Sequence, residues 1–311
     1  MAFEHVSVLL EETIDLLDPR DGGVYVDGTL GGGGHSAEIL RSIRPNGHLY
    51  GIDRDEDALA AATQRLGADA CFTALHGNFH DVRALLAAQG VEKIDGMILD
   101  LGVSSYQLDT AERGFSYHAD APLDMRMDRT QQLDAREIVN TWDEKEIARI
   151  IRDYGEENWA ARIASIICEH RAQKPLETTG DLVACVDAAI PKKIRMKDSG
   201  HSARRTFQAL RIAVNDELEP LKRALEDIAA LLNPGGRLCV ITFHSLEDRI
   251  VKQTFRTMQN PCVCPPRLPV CVCGKKPIAR VLGGNGVAPS AQEVERNPRA
   301  RSARLRGIEK I

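Results

Sequence analysis

The sequence lacks the features of secreted and membrane-embedded proteins. Its N-terminal stretch MAFEHVSVLLEETIDLL has no basic segment, and carboxylates interrupt its apolar residues, unlike in a signal peptide. No run approaches the roughly 18 apolar residues that a membrane-spanning helix needs. Hydrophobic residues still make up 43% of the 311 residues, enough for one large domain with an insertion or for two domains. We therefore expect a cytoplasmic protein without a membrane partner.

A disulfide framework is also lacking, although the chain contains eight cysteines. Four lie within apolar strand or helix patterns, where reduced cysteine packs as a small hydrophobic residue, at Cys71, Cys168, Cys185 and Cys239. The others form two CxC pairs in the segment CVCPPRLPVCVC, at Cys262, Cys264, Cys271 and Cys273. Paired cysteines with intervening prolines predict a tetrathiolate zinc site of structural type. The alternative is an exposed loop of free or partly oxidised thiols.

An excess of positive charge is absent, since the net charge is -5, and this argues against a protein that coats nucleic acid. This net charge conceals an uneven distribution of charge along the chain. Residues 261–311 carry ten Lys or Arg against three acids, and residues 191–211 carry seven against one. Each run alone is typical of a solvated surface, but two on an otherwise acidic chain favour a polyanionic partner. Phosphate contacts, or a final strand exposed to water, are predicted for Arg299, Arg301, Arg304 and Arg306.

Short apolar runs alternate with helical patterns through the first hundred residues. The runs VYVD, HLYGID, FTALHG and IDGMILDLG begin at residues 24, 48, 72 and 94. A helical pattern follows each of the first three, which predicts βαβ units and a parallel sheet covered on both faces. After the fourth run the strand pattern stops, and it resumes with a helix at 216–232, the turn NPGG, the strand RLCVITF and a weakly patterned tail.

This interruption predicts two domains, one of them discontinuous. We expect an α/β domain formed by residues 1–105 and 212–311, with a helical domain of residues 106–211 inserted after the fourth strand. An insertion at that point lies beside the carboxyl ends of the strands, where open α/β sheets bind ligands. The helical domain is therefore predicted to recognise the substrate.

The glycine-rich turn lacks the lysine of a P-loop. In VYVDGTLGGGGHS, residues 24–36, His35 and Ser36 follow the glycines where a P-loop needs lysine and then serine or threonine. The dinucleotide fingerprint is matched only loosely, by Gly32, Gly34 and Ala37. A third candidate is S-adenosylmethionine, which needs backbone close by, a helix N-terminus near its carboxylate, and acids for its ammonium and ribose.

Three aspartates end strands that meet at one edge of the predicted sheet, namely Asp27, Asp53 and Asp100. Asp53 could bond the ribose of either NAD or S-adenosylmethionine, so it does not separate the two cofactors. Asp100 adds a third carboxylate near the turn, and three acids suit a cationic sulfonium better than a pyrophosphate. Singly, each is equally typical of a helix N-cap or a turn.

Longer blocks of the sequence resemble a known family, the bacterial 16S ribosomal RNA cytosine-N4 methyltransferases. The resemblance runs from about His5 to Arg306 and rests on blocks such as DGTLGGGGHS, LDLGVSSYQLD, PLDMRMD, RTFQALRIAVN, FHSLEDRIVK and NPRARSARLR. It implies a Rossmann-like methyltransferase fold with a mostly parallel seven-stranded sheet. It also implies methyl transfer from S-adenosylmethionine to N4 of a cytidine in the decoding centre. The implied cofactor contacts are Gly33, Gly34, His35, Asp53, Phe79, Asp100 and Gln107.

The implied reaction uses a weak nucleophile, because the lone pair of the cytosine amine is delocalised into the ring. The amine must lie in line with the sulfonium methyl, and its N–H bonds need acceptors. We hypothesise that Asp100 is the catalytic acceptor. A stacking face is expected from Tyr106, Phe115 or Tyr117. Amino-methylating DNA enzymes carry a [DNS]-P-P-[YF] motif after the fourth strand, and DLGVSS stands there instead, so their base clamp does not carry over.

Two histidines near the predicted edge have simpler roles than catalysis. His35, at a helix start, is expected to bind or cap rather than to act as a base. His244 and Ser245 follow the fifth strand and are expected to shape an RNA pocket, since the G-x-S-x-G motif of a hydrolase is lacking.

Two alternative functions stay open. The loose glycine match and Asp53 are compatible with an NAD-dependent oxidoreductase, and the α/β core could be the scaffold of a non-catalytic nucleic-acid-binding module. The sequence also leaves open whether free 16S rRNA or the assembled small subunit is the partner, and whether the chain forms a homodimer.

Overall fold

The computed structural model describes residues 7–196, 200–265, 270 and 272–311. These residues form two compact units. One contains the described residues up to Gly102 and those from Leu218 to Ile311, and the other those of Val103–Glu217. The predicted division at 105/106 and 211/212 falls within a few residues of these boundaries. No helix in the described part of the chain is both long enough and apolar enough to cross a lipid bilayer.

The first unit is built on one seven-stranded sheet. Its strands are β1 (Val24–Asp27), β2 (His48–Asp53), β3 (Phe72–His76), β4 (Ile94–Asp100), β5 (Leu232–Thr242), β6 (Ala279–Val287) and β7 (Arg304–Lys310). Their order in the sheet is β3-β2-β1-β4-β5-β7-β6. The first five pair in parallel, and β7 runs antiparallel between β5 and β6. This architecture confirms the predicted α/β fold with a mostly parallel sheet.

Helices connect the strands of the first unit and make up the second. In chain order they are α1 (Leu10–Leu17), α2 (Gly34–Ile43), α3 (Glu56–Leu66), α4 (Val82–Ala88), α5 (Ser105–Asp109), α6 (Ala135–Thr141), α7 (Glu144–Asp153), α8 (Ala160–Arg171), α9 (Thr179–Ala189), α10 (Lys192–Arg195), α11 (Arg204–Asn215), α12 (Leu221–Leu231), α13 (Ser245–Gln259) and α14 (Ala291–Arg296). Side-chain caps explain several of their starts. Asp55 accepts from the Asp57 N–H at the start of α3, and Thr178 and Asp181 form a capping box at the start of α9.

The central strands bury both of their faces. Met97 and Leu99 of β4 pack in a cluster with α4, α12 and α13, whereas Ile98 between them packs in a second cluster with α1 and α2. Successive side chains of a strand point to opposite faces, so a strand covered on both sides is apolar at every position. This explains the continuous apolar runs from which the sheet was predicted.

The second unit has a helical core of its own. Ile138, Ile150, Ile163, Leu182 and Leu210 are fully buried within it. Apart from an isolated bridge between Pro122 and Thr178, its described residues form no β structure. This agrees with the helical patterns of that part of the sequence.

The structure departs from the sequence analysis at two places in the sheet. The NPGG segment, predicted as a turn, lies inside β5 as an irregularity, and regular pairing with β4 resumes at Arg237. The weakly patterned tail supplies β6 and β7. In β6, Gly283, Gly284 and Gly286 have positive φ and interrupt the alternation that would have revealed a strand.

Candidate active site

The strand order reverses between β1 and β4, and in open α/β sheets ligands bind at the carboxyl ends of such a pair. Asp27 ends β1 and Asp100 ends β4. Asp53 ends β2, which pairs with β1 on its other side. The fold therefore brings the three predicted aspartates to one edge, on three adjacent strands. We call Asp27, Asp53 and Asp100 the acidic edge.

The turn from β1 to α2 depends on left-handed glycines. Gly31 has φ +49° and Gly33 has φ +73°, a backbone conformation that favours glycine, and Gly33 is the N-cap of α2. Asp53 braces the turn, because its Oδ2 accepts from the Gly31 N–H at 2.8 Å and its Oδ1 from the Asp55 N–H at 2.9 Å. The first amides of α2 have no acceptor within the helix, so the turn presents donors suited to a carboxylate.

At two of the glycines an added side chain would meet neighbouring side chains of the protein. A Cβ on Gly33 would stand 2.9 Å from Leu66 Cδ1, and one on Gly34 would overlap Ser7 Oγ. On Gly31, the nearest atom among the described residues would be the Thr29 carbonyl oxygen at 3.8 Å. Contact of Gly33 or Gly34 with a cofactor therefore stays a prediction, and packing alone already accounts for both glycines.

His35 and Ser36 anchor this turn on its surroundings. The His35 ring is buried, and its Nε2 lies 3.1 Å from the Val8 carbonyl oxygen. This contact holds the ring in place within the protein, and the binding or capping role expected for His35 stays a prediction. Ser36 Oγ donates to Asp27 Oδ2 at 2.7 Å. Burial raises the pKa of Asp27 to about 6, although the Ser36 hydrogen bond opposes that shift.

Asp100 differs from the other two acids in its hydrogen bonding. Its backbone N–H donates to Thr29 Oγ1 at 2.6 Å, but its side-chain Oδ1 is buried and has no hydrogen-bond partner among the described residues. Burial raises the pKa of Asp100 to about 8, and the negative charges of Asp27 and Glu247 add to the shift. Because burying an unpaired carboxylate is costly, a cation at this edge would stabilise its ionised form.

Glu247 is an acid near this edge that sequence analysis did not single out. It is 1% exposed, and its Oε2 accepts from the Phe243 N–H at 3.0 Å at the start of α13. His244 is the N-cap of α13, with its Nε2 3.0 Å from Glu247 Oε1, and Ser245 begins the helix. A glutamate three residues after an N-cap is a sequence signal for a capping box, and that signal could have drawn attention to it.

The model of the MraW methylase family matches residues 2–311. The chain belongs to the MraW methylase family. Membership confirms the predicted class, an S-adenosylmethionine-dependent methyltransferase, and does not favour the oxidoreductase or the binding module.

Three relatives of this methylase family are each described as a ribosomal RNA small subunit methyltransferase H. Identity is 57% with the protein of Symbiobacterium thermophilum, 52% with that of Clostridium botulinum strain Kyoto and 50% with that of Clostridioides difficile. Each alignment covers 100% of this chain, together with 98% of the first relative and 100% of the other two. Similarity at this level along the full length extends to both units.

Phe79 and Gln107, which the resemblance to the methylase family implies as cofactor contacts, have structural roles as well. Phe79 is 6% exposed and packs in the cluster that contains Met97 and Leu99. Gln107 lies in the second unit, where it forms the capping box of α5 with Ser104. Their contacts with cofactor stay predictions.

The three aromatic residues predicted as a stacking face for the methylase substrate all lie in the second unit. Phe115 is buried in its core, and Tyr106 is partly buried on α5. The Tyr117 ring stacks on the ring of His201 with centroids 4.6 Å apart. Burial makes Phe115 the least suitable of the three as an open face, and the stacking role stays a prediction.

The arginine-rich segment shared with the methylase family differs from its predicted role at one position. Arg306 is 8% exposed, and its guanidinium donates to both oxygens of Asp248 at 2.7 and 2.9 Å. Its prediction as a phosphate contact is wrong, because the side chain is committed to an ion pair between β7 and α13. Arg299 and Arg301 are exposed, and Arg304 is partly buried.

The cysteines of the chain divide as the sequence analysis expects. Cys185 and Cys239 are buried, and Cys71 and Cys168 are partly buried within the two units. The cysteine-rich segment lies between α13 and β6. Its Cys271 lies outside the described residues, and the structure describes the other three, Cys262, Cys264 and Cys273.

Proposed function

We propose that this chain transfers a methyl group from S-adenosylmethionine to N4 of a cytidine of 16S rRNA, within the small ribosomal subunit and in the cytoplasm. The relatives are ribosomal RNA small subunit methyltransferases by name, which supports an RNA of the small subunit as substrate. The resemblance of the sequence blocks supports the cytosine amine as acceptor. The observation that carries the proposal is the buried Oδ1 of Asp100 at the acidic edge of a methylase-family fold.

The acidic edge fits S-adenosylmethionine better than a dinucleotide. When bound, this cofactor supplies a methyl group on a cationic sulfonium. The glycine turn and Asp53 would hold its amino acid and ribose parts, with Asp27 and Asp100 nearest its positive charge. The pyrophosphate of NAD is negatively charged and would be repelled by the same carboxylates, which disfavours NAD.

Asp100 is the residue of the acidic edge that is suited to accept a proton. With a pKa of about 8, its carboxyl is largely protonated at neutral pH until a positive charge approaches and lowers that pKa. Ionised Oδ1 can then accept a hydrogen bond from the amine of the target cytosine. Such an acceptor increases electron density on the nitrogen and receives the proton that the amine must lose.

A methyl-transfer assay tests the proposed function. The chain is incubated with S-adenosylmethionine labelled in its methyl group and with small subunits that lack the modification, and in parallel with 16S rRNA stripped of protein. Digestion of the RNA and mass spectrometry of the nucleosides locate the label. Label on N4 of one cytidine supports the proposal, whereas label on ribose or a ring carbon, or none on either substrate, overturns it.

A binding measurement separates this function from the oxidoreductase. We expect S-adenosylmethionine and S-adenosylhomocysteine to bind and to raise the midpoint of thermal unfolding, because a ligand that binds only the folded state stabilises it. NAD should leave the midpoint unchanged. Stabilisation by NAD alone would contradict the proposal.

A further inference from the structure

The loop between α13 and β6 brings three cysteine side chains together. The Sγ atoms of Cys262, Cys264 and Cys273 all lie within 4.8 Å of one another, and those of Cys262 and Cys273 are 3.9 Å apart. The Val272 N–H donates to Cys264 Sγ at 3.4 Å, a contact that draws the two halves of the loop together. Residues distant along the segment therefore converge through their sulfur atoms.

The separation of these sulfur atoms suits a metal ion. Zinc–sulfur bonds of about 2.3 Å in a tetrahedron place neighbouring sulfurs about 3.8 Å apart. A disulfide would instead require about 2.05 Å between two of them. The 3.9 Å between Cys262 and Cys273 corresponds to the edge of a tetrahedral thiolate site.

This loop has few apolar contacts to stabilise it. Val263, Val270 and Val272 are 68%, 71% and 78% exposed. The base of the loop is closed by backbone, since the Ile278 N–H donates to the Met258 carbonyl at 3.0 Å. Beyond that base, the loop valines that the structure describes are largely exposed, and segments without a hydrophobic core commonly depend on a disulfide or a metal.

Other cysteines of the chain do not share this setting. Burial raises the pKa of the Cys185 thiol to about 11 and that of Cys239 to about 12, so both stay protonated in the core. The three loop cysteines are exposed or partly buried.

We propose that Cys262, Cys264 and Cys273 bind one zinc ion that fixes the conformation of this loop. Each thiol releases its proton as its sulfur coordinates the metal, so three protons leave and no electron is transferred. Three thiolates occupy three positions of the tetrahedron, and one further ligand completes it. The site is structural and separate from the methyl-transfer chemistry.

The metal content of the full chain tests this site. The protein is purified without chelators and without a metal-binding tag, and zinc is measured by mass spectrometry for the wild type and for Cys264→Ser and Cys273→Ser. The control is Cys71→Ser, whose thiol donates to the Pro45 carbonyl far from the loop in sequence. We expect about one zinc per chain in the wild type and the control, and at least about a tenfold loss in the loop variants.

Substitution with cobalt provides a second measurement. Cobalt bound by thiolates in a tetrahedral site shows sulfur-to-metal charge-transfer absorption, which Cys273→Ser should abolish while circular dichroism shows the variant still folded. Zinc retained equally in the loop variants would overturn the proposal. A metal-free wild type with a disulfide among these cysteines, detected by intact mass without reductant, would also overturn it. Neither outcome depends on whether the chain methylates RNA.

Discussion

Asp100 ends β4, and one of its carboxylate oxygens, Oδ1, is buried with no hydrogen-bond partner among the residues that the structure describes. Burial without compensation destabilises the ionised form. Such an arrangement is tolerated where a ligand supplies the missing positive charge or donor, and functional sites are where perturbed pKa values concentrate. The first two predictions follow from this residue.

Replacing Asp100 by asparagine should reduce methyl transfer much more than cofactor binding. The amide keeps the size of the side chain but cannot accept a proton, so we expect a loss of roughly 100-fold to 1000-fold in kcat. Asp227→Asn on α12, which removes one carboxylate from an exposed pair with Arg83, serves as the control. Near-normal methylation by Asp100→Asn, with calorimetry showing unchanged cofactor affinity, would exclude the catalytic role.

Stability of the cofactor-free protein should fall as the pH rises. The pKa of Asp100 is raised to about 8 and that of Asp27 to about 6, from an ordinary value near 4. At a pH between the ordinary and the raised pKa of each group, the folded state therefore binds more protons than the unfolded chain. Ionising them at higher pH favours the unfolded chain. Asp100→Asn should flatten this decline by on the order of 4 kcal/mol between about pH 5 and pH 8, measured by urea unfolding. A decline as steep in the variant as in the wild type would show that another group is responsible.

Sequence patterns pointed to some residues of the candidate site and missed others for physical reasons. Asp27, Asp53 and Asp100 were visible because each ends an apolar strand, and parallel strands bring their ends to one edge. Glu247 was not visible in the sequence, because only the folded position of α13 after β5 brings this residue near the acidic edge. Arg306 was misjudged, since the sequence cannot show that Asp248 lies opposite it.

At the scale of elements, the turn from β1 to α2 joins a strand to a helix through two left-handed glycines. Gly33 has two independent reasons to be glycine, a positive φ and the proximity of Leu66. Gly90, at the end of the turn after α4, has nearly the same φ of +75° but nothing within 4 Å of an added Cβ among the described residues. A comparison of substitutions at Gly33 and Gly90 therefore separates the cost of backbone strain from the cost of packing.

Gly33→Ala should therefore destabilise the protein more than Gly90→Ala. Both variants bear the strain of a left-handed alanine, about 1 kcal/mol, and Gly33→Ala adds a clash costing about 1 to 3 kcal/mol. Urea unfolding without cofactor gives the difference in the free energy of unfolding. Equal losses would mean that Leu66 moves aside without cost.

Most elements of the first unit could be predicted because their periodicity is strong. Strands β1 and β2 match the predicted runs at both ends, and α7, α8 and α9 lie within the segment 106–211 that was predicted to be helical. Strand β6 escaped prediction, because its glycines conceal the apolar positions. Strand β7 corresponds to the final strand that was one of the two predictions for the arginine-rich segment. Only pairing with β5 shows why Leu305 and Ile308 face the core.

At the scale of the whole molecule, positive charge is uneven on a chain of net charge -5. Many cations are already paired within the protein, as Arg195 is with Asp187 and Arg306 with Asp248. Lys192 and Lys193 on α10 are exposed and have no ion pair among the described residues. These two lysines are suited to contact an RNA backbone.

Methyl transfer should weaken as salt concentration rises, because cations on RNA are released when lysines bind phosphates. A double variant, Lys192→Ala with Lys193→Ala, should lower the slope of log(kcat/KM) against log salt by about 1 to 2. The control is Lys222→Ala with Arg223→Ala, which removes equal charge from residues paired with Glu226 and Asp227. The same slope for both double variants would place the RNA elsewhere.

The position of β7 has a consequence for the order of assembly. This strand lies between β5 and β6, yet it follows both along the chain, and Leu305 and Ile308 within it are fully buried. A chain leaving a ribosome therefore exposes β6 before its neighbour in the sheet exists. Strands β1 to β5 can be added outward one by one as they are synthesised, but β6 cannot join the sheet until residues 304–310 have formed β7. An enzyme proposed to modify ribosomes thus completes its own sheet only after β7 has been translated.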